Sequence, residues 1–298
     1  MADLTTGQAE ALEDPAPGTR DLAEKTFLVT GASAGIGRET AQALAARGAQ
    51  VYLAGRSEAR TRAAIDAISA QTGSTSLHFL ALDLGDLDSV RAAAAAFLDA
   101  GQPLHGLINN AGLAGQRGLT PSGFEIHFGT NHVGPFLLTG LLLGRLRETA
   151  PARIVNLSSE AHYRAHGIDF DAVRRPTRTR TGFSEYGVSK LANLLHAQEL
   201  ALRLQGTGVT TYALHPGVVA SEIWRRVPWP VRPLIKLRMI SPRQGAATSL
   251  YCATAPELAA ESGRYYDDSK PREPGAAATP ELAAELWSRS AAWVGLPD

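Results

Sequence analysis

The chain has 298 residues, enough for one large α/β domain or two small ones with a sizeable core. Its 29 Lys and Arg residues balance 29 Asp and Glu, so the chain as a whole offers no electrostatic footprint for nucleic acid. The single cysteine, Cys252, excludes an intrachain disulfide framework and a cysteine-rich metal site, which suits a reducing cytoplasm as the expected location.

Residues 1–21 are acidic and spotted with Pro and Gly. They lack the basic and apolar regions of a signal peptide and read as a loosely attached leader. No apolar run approaches the ~20 residues needed to span a bilayer, so no transmembrane anchor is expected. From residue 22 the pattern becomes regular. "KTFLVTG" is a short apolar run closed by glycine, and "GRETAQALAARGAQ" follows with apolar residues at helical spacing. "VYLAG" is a second strand, 58–70 a helix, "LHFLALDL" a third strand and "DSVRAAAAAFLDA" a helix. "LHGLINNAG" reads as a strand ending in small polar residues, "TGLLLGRLRET" as part of a long helix, and "ARIVNLSS" as a strand. Residues 186–205 are helical in pattern, "GVTTYALHPG" is a strand, and "GRYYDD" near the end adds a possible seventh. Strands alternating with helices of this length predict a doubly wound, Rossmann-type parallel sheet covered on both faces. No repeat period and no composition shift divides residues 22–298, which predicts a single domain.

Two stretches depart from the alternation. Residues 162–183 are polar, basic and weakly periodic, and read as an insertion at the sheet edge. Residues 221–241, "SEIWRRVPWPVRPLIKLRMIS", mix Trp, Pro, Arg and aliphatics. They suit a lid over an apolar substrate pocket, with a basic membrane-facing patch as the alternative.

The first strand runs into "TGASAGIGRE". Gly31, Gly35 and Gly37 sit at a strand-to-helix junction, where glycine permits positive φ and lets backbone N–H groups approach a pyrophosphate. The helix N-terminus adds favourable partial charge for an anion. The second strand then discriminates between dinucleotides. An acid at its end would bond the ribose 2′-hydroxyl of NAD, whereas an arginine suits a 2′-phosphate. The strand ends in Gly55 and Arg56 with no acid, and Arg38 adds a second positive charge, so NADP(H) is favoured over NAD. Asp83, after the third strand, either accepts from the adenine amino group or caps the next helix.

The chemistry centres on "SEYGVSK". A free phenol has a pKa of about 10 and exchanges protons poorly near neutrality. A lysine one helical turn away, Lys190, stabilises the phenolate of Tyr186 and moves it toward the working pH. Ser158 and Ser159 end a strand at the carboxyl edge of the sheet, where a hydroxyl can polarise a carbonyl oxygen together with the tyrosine. Asn131 lies on a helical segment, an unfavourable place for asparagine unless its side chain has a partner, either structural or a held water. His127, His162 and His166 lie on unrelated segments without the spacing of metal ligands.

Taken in order, Thr30-Gly31-xxx-Gly35-x-Gly37, Asn109-Asn110-Ala111-Gly112, Asn131, Ser158-Ser159, Tyr186-xxx-Lys190 and His215-Pro216-Gly217 resemble the short-chain dehydrogenase/reductase superfamily over residues 25–266. "TNHVGPFLLT", "RIVNLSSEAH", "YGVSKLANLL" and "HPGVV" are similar to its retinol dehydrogenase-like branch, which also holds the oxidoreductase domain of WW-domain oxidoreductases; no WW domain is present. The resemblance implies Tyr186 as general acid/base and Lys190 as ligand of the nicotinamide ribose. It implies Ser159 as hydrogen-bond donor to the substrate oxygen and Asn131 as holder of a water linking Lys190 to solvent. Gly31, Ser33, Gly35, Ile36, Gly37 and Arg56 take the adenosine and pyrophosphate end. Asp83, Leu84, Asn110, Ala111, Gly112, Pro216, Gly217 and Val218 take the rest, with Tyr186 and Lys190 at the nicotinamide. The substrate is expected to be an apolar small-molecule alcohol or carbonyl, and the assembly a homodimer or homotetramer. A catalytically silent, cofactor-binding scaffold is the alternative reading. Many animal members of the branch carry an N-terminal membrane anchor, which the leader here does not resemble, so retinoid specificity and membrane attachment are not carried over.

Overall fold

Residues Thr26–Thr30 are buried along their whole length, as a strand covered on both faces must be. They form β1 of the computed structural model, which describes residues 20–218 and 240–298. The other strands are β2 (Gln50–Gly55), β3 (Leu77–Ala81), β4 (Gly106–Asn109), β5 (Ala152–Leu157), β6 (Val209–His215), β7 (Tyr265–Asp267) and β8 (Lys270–Arg272). The sheet order is β3-β2-β1-β4-β5-β6-β7-β8. All neighbours pair parallel except β8, which returns antiparallel to β7. The order reverses between β1 and β4, and that switch point opens a crevice at the carboxyl ends of the strands.

The helices are α1 (Gly35–Ala46), α2 (Glu58–Thr72), α3 (Leu87–Asp99), α4 (Ile126–Phe128), α5 (Gly134–Thr149), α6 (Phe183–Arg203), α7 (Pro242–Thr254) and α8 (Pro280–Val294). A π-helical segment, Gly129–Val133, joins α4 to α5. Two apolar clusters show how the helices divide. Leu44 of α1, Ile68 of α2 and Cys252 of α7 pack on one face of the sheet. Phe97 of α3, Leu142 of α5, Leu195 of α6 and Leu286 of α8 pack on the other.

The predicted alternation is present, and "GRYYDD" does supply the seventh strand. Three elements lie beyond the sequence reading: β8, α7 and α8. Both helices carried start signals. Ser241 and Gln244 close a capping box on α7, and Thr279 caps α8 with Pro280 in its first turn. The insertion at 162–183 is tied down rather than trailing. Its Val173 carbonyl accepts from Glu125 N–H at 2.8 Å, and Thr177 donates to the buried Glu125 carboxylate at 2.5 Å. Most of the predicted lid, 221–241, lies outside the described residues. The chain leaves and re-enters them at one point, where Ile240 N–H donates to Val218 carbonyl at 3.0 Å.

Candidate active site

The glycine turn is built on absent side chains. Gly31 has φ +68°, and a Cβ on it would lie 2.9 Å from Ala111 Cα. A Cβ on Gly37 would lie 2.7 Å from Gly31 carbonyl oxygen. Gly35 has φ +58° with open space around it, so conformation rather than crowding requires glycine there. The turn is braced from β4: Asn110 Nδ2 donates to Thr30 carbonyl at 2.7 Å, and Ala111 N–H donates to Thr30 Oγ1 at 3.0 Å. α1 then starts without a side-chain cap and without an acid in its first turn, leaving its N–H groups to the crevice. Those features fit a dinucleotide phosphate. Arg38, in the first turn of α1, buries an Nε that has no hydrogen-bond partner among the described residues. Arg56 stands exposed just past β2.

Asp83 does not cap α3. That role falls to Asp86, whose carboxylate accepts from Asp88 N–H at 3.0 Å. Asp83 instead accepts from Gly85 N–H at 3.0 Å, folding its own turn back at the end of β3. Leu84 is buried, and Gly134 lacks a Cβ because one would overlap the Leu84 carbonyl. Pro216, Gly217 and Val218 follow β6 directly, with Gly217 at φ +82°.

The catalytic candidates meet at the corner of β5 and α6. The Ser159 hydroxyl stands beside the Tyr186 phenol, where it works against the rise in the phenol pKa. Lys190 Nζ lies 5.6 Å from the centre of the tyrosine ring. Lys190 is buried and donates to Leu157 carbonyl at 2.8 Å, an oxygen that Asn193 Nδ2 also reaches at 2.9 Å. Asn131 Oδ1 and Lys190 Nζ both stand 3.4 Å from where a Gly112 Cβ would be, so these candidates share one corner. Ser158, the other member of the serine pair, turns away and donates to Lys190 carbonyl at 2.7 Å. That explains why only the second serine faces the tyrosine.

The family model for the short chain dehydrogenase matches residues 25–170. Retinol dehydrogenase 12 of Mus musculus is 48% identical over 279 residues, which cover 91% of this chain and 87% of that protein. Dehydrogenase/reductase SDR family member 13 of Bos taurus is 45% identical over 95% of this chain and 76% of that protein. The chain belongs to the short-chain dehydrogenase family. Within it, the relatives place the chain in the retinol dehydrogenase-like branch. Among solved structures, an uncharacterised protein from Mycobacterium paratuberculosis superposes with a TM-score of 0.75 at 32% identity, covering 94% of this chain and 96% of that one. Membership makes this an oxidoreductase of a family that uses nicotinamide coenzymes and small-molecule substrates.

In this short-chain dehydrogenase the electrostatics differ from the sequence expectation in one respect. Burial raises the Tyr186 pKa, and the opposing influence is the Ser159 hydrogen bond, not the lysine. Lys190 is itself desolvated, which pulls its pKa from 10.5 down to about 8, and its ammonium points at the Leu157 carbonyl. The Asn131 side chain takes structural partners. Its side chain accepts from Leu113 N–H at 2.8 Å and donates to Leu113 carbonyl at 3.0 Å and to Ser189 Oγ at 2.9 Å. Ser189 passes the bond on to Tyr186 carbonyl at 2.8 Å. Asn131 therefore staples the loop after β4 to the first turns of α6.

Sequence reasoning missed two contributors. Ser189 was readable only as a small residue within "YGVSK". Asn110, expected at the dinucleotide, has its side-chain amide on Thr30 carbonyl, where it braces the turn. His162 reads as a loop histidine but is fully buried beside Ser159. Its only signal was its place three residues after the serine.

Proposed function

We propose that the protein is an NADP(H)-dependent oxidoreductase that interconverts an alcohol and a ketone or aldehyde in a mainly apolar small molecule. The observation that carries this reading is the convergence of Ser159, Tyr186 and a buried Lys190 at the corner of β5 and α6. Two hydroxyls meeting at one point can both donate to a single substrate oxygen and polarise its carbonyl. A bound nicotinamide supplies or accepts the hydride. Tyr186 gives its phenolic proton to the oxygen during reduction and takes it back during oxidation. Ser159 steadies the phenolate left behind, and Lys190 binds the adjoining ribose. Asn131 holds the α6 turn in register, and the proton is replaced from solvent on the Lys190 side.

Preference for NADP(H) rests on Arg56, on the missing acid at the end of β2, and on the buried Arg38 Nε, unpartnered among the described residues. An apolar substrate is supported by Phe183, 42% exposed, with its ring 6.4 Å from that of Tyr186, and by Val218, 37% exposed, at the end of β6. The dehydrogenase names of the relatives point the same way.

The test mixes the protein with NADPH and a panel of ketones and aldehydes while following absorbance of the reduced nicotinamide. At least one apolar carbonyl is expected to be turned over, and Ser159→Ala to abolish most of that rate. Coenzyme binding without consumption across the whole panel would favour a silent scaffold instead.

A further inference from the structure

Three residues beyond Ser159 stands a histidine that the reaction scheme leaves unused. His162 is fully buried. Its Nδ1 lies 2.7 Å from the Ser159 carbonyl oxygen, and its Nε2 lies 3.0 Å from the Gly275 amide nitrogen. A carbonyl can only accept and an amide N–H can only donate. The two partners therefore set a single tautomer, with the proton on Nδ1 and the lone pair on Nε2. Burial lowers the pKa of the ring, which keeps it in that neutral form near pH 7. The imidazole is held by Tyr163, 4.0 Å between ring centres, and by the edge contact with Tyr265 at 4.9 Å.

The far anchor is equally defined. Gly275 lies between β8 and α8, and a Cβ on it would stand 3.2 Å from Tyr163 Cδ1 and 3.4 Å from His162 Cδ2. Tyr163 makes a second tie to the same stretch, donating to Glu273 carbonyl at 2.7 Å. On the near side, the Ser159 hydroxyl accepts from Ala161 N–H at 3.2 Å. The hydroxyl is thus oriented by one group and its peptide by another.

We propose that His162 is a positioning residue for the site: its Nδ1–H fixes the Ser159 carbonyl, anchored through Gly275, and so holds the serine hydroxyl against Tyr186. This rests on the reading of Ser159 as the hydroxyl that binds the reacting oxygen. Displacement of such a group by about 1 Å costs up to a hundredfold in rate. The consequence falls on kcat rather than on coenzyme binding, because the glycine turn is braced independently from β4.

Asparagine and glutamine separate the two bonds. His162→Asn places an amide donor near Nδ1 and keeps the side-chain bond to Ser159, whereas His162→Gln reaches the Nε2 position and keeps, of the two side-chain bonds, only that to Gly275; the main-chain bond from His162 N–H to Ser159 carbonyl at 3.0 Å stays in every variant. With NADPH and the best carbonyl of the panel, His162→Gln and His162→Ala are expected to lose about tenfold or more in kcat, and His162→Asn to stay within about threefold. NADPH affinity, read by fluorescence titration, is expected to stay within about twofold in all three. Equal losses in Asn and Gln, or a Gln variant faster than Asn, overturn the proposal. So does failure of both to fold, since the histidine would then serve the fold rather than the serine. Ser159→Ala is assayed alongside. Unchanged turnover there sinks the reading of the site itself, while lost turnover with unaffected His162 variants sinks only the positioning role.

Discussion

The glycine turn after β1 and the corner between β5 and α6 lie along the same edge of the sheet but are built in opposite ways. At the turn, side chains hold main chain: Asn110 and Thr30 brace a loop whose exposed groups are the N–H donors opening α1. At the corner, the groups on display are side chains, Ser159 and Tyr186, and their neighbours are almost fully partnered. Ser158, Asn131, Ser189, Asn193 and His162 each spend their hydrogen bonds on main chain or on one another. A phosphate is bound by removing atoms so that backbone can approach, whereas a proton is transferred by a side chain that must not wander. The first requirement appears as glycine, the second as a shell of satisfied polar residues.

The contrast breaks most severely if the corner tolerates loss of its central side chain. Tyr186→Phe is expected to lower kcat by about 10²–10⁴ while coenzyme affinity, by fluorescence titration, stays near wild type. An unchanged rate would remove the phenol from the chemistry. At the turn the reverse variant adds one carbon. Gly37→Ala sets a Cβ 2.7 Å from Gly31 carbonyl oxygen and closer still to Asn110, so it should weaken coenzyme binding and cost about 1–3 kcal/mol of stability, read by urea unfolding. A variant with normal midpoint and affinity would show that the turn is looser than its geometry.

Lys190 sharpens the comparison, because a residue kept for chemistry should cost the fold. Its folded pKa of about 8 lies below the ordinary 10.5, so the unfolded chain holds the proton more readily. The charge therefore destabilises fully below pH 8, and the cost fades as pH rises toward 10.5. Lys190→Met should abolish turnover yet raise stability at pH 7 by about 2 kcal/mol, measured without added coenzyme, with the gain shrinking in the alkaline range. Leu157 carbonyl keeps its bond from Asn193 in that variant. Equal or lower stability at pH 7 would mean that burial does not strain the ammonium. The smallest effect is expected from Arg56, which is exposed. Arg56→Ala should reduce the preference for NADP over NAD by about tenfold, read as the ratio of the two kcat/KM values, the size of one charge-assisted bond in water. A ratio that does not move assigns the selectivity elsewhere, with Arg38 the next candidate.

Legibility differed between the same two regions. The glycine turn was readable because its requirements are local: a strand, three glycines and a helix within a dozen residues. Tyr186 and Lys190 were readable for the same reason, one turn apart on one helix. The shell around them was not. Asn131 meets Ser189 across 58 residues, and His162 meets Gly275 across 113. The direction of the Tyr186 shift was also out of reach, since it depends on burial from several elements at once. β8 went unread because an exposed "KPR" has no apolar alternation, although α7 and α8 did carry their caps in plain sequence.

The sequence by itself determined the alternation of strands and helices, the position of the glycine turn and the identity of the tyrosine–lysine pair. These follow from periodicity and from stereochemistry confined to neighbouring residues. Only the tertiary structure decided which serine faces the phenol, which polar residues are struts, and how far burial moves each proton. Those outcomes depend on distances between segments far apart in the chain, and hydrogen bonding and desolvation act through space.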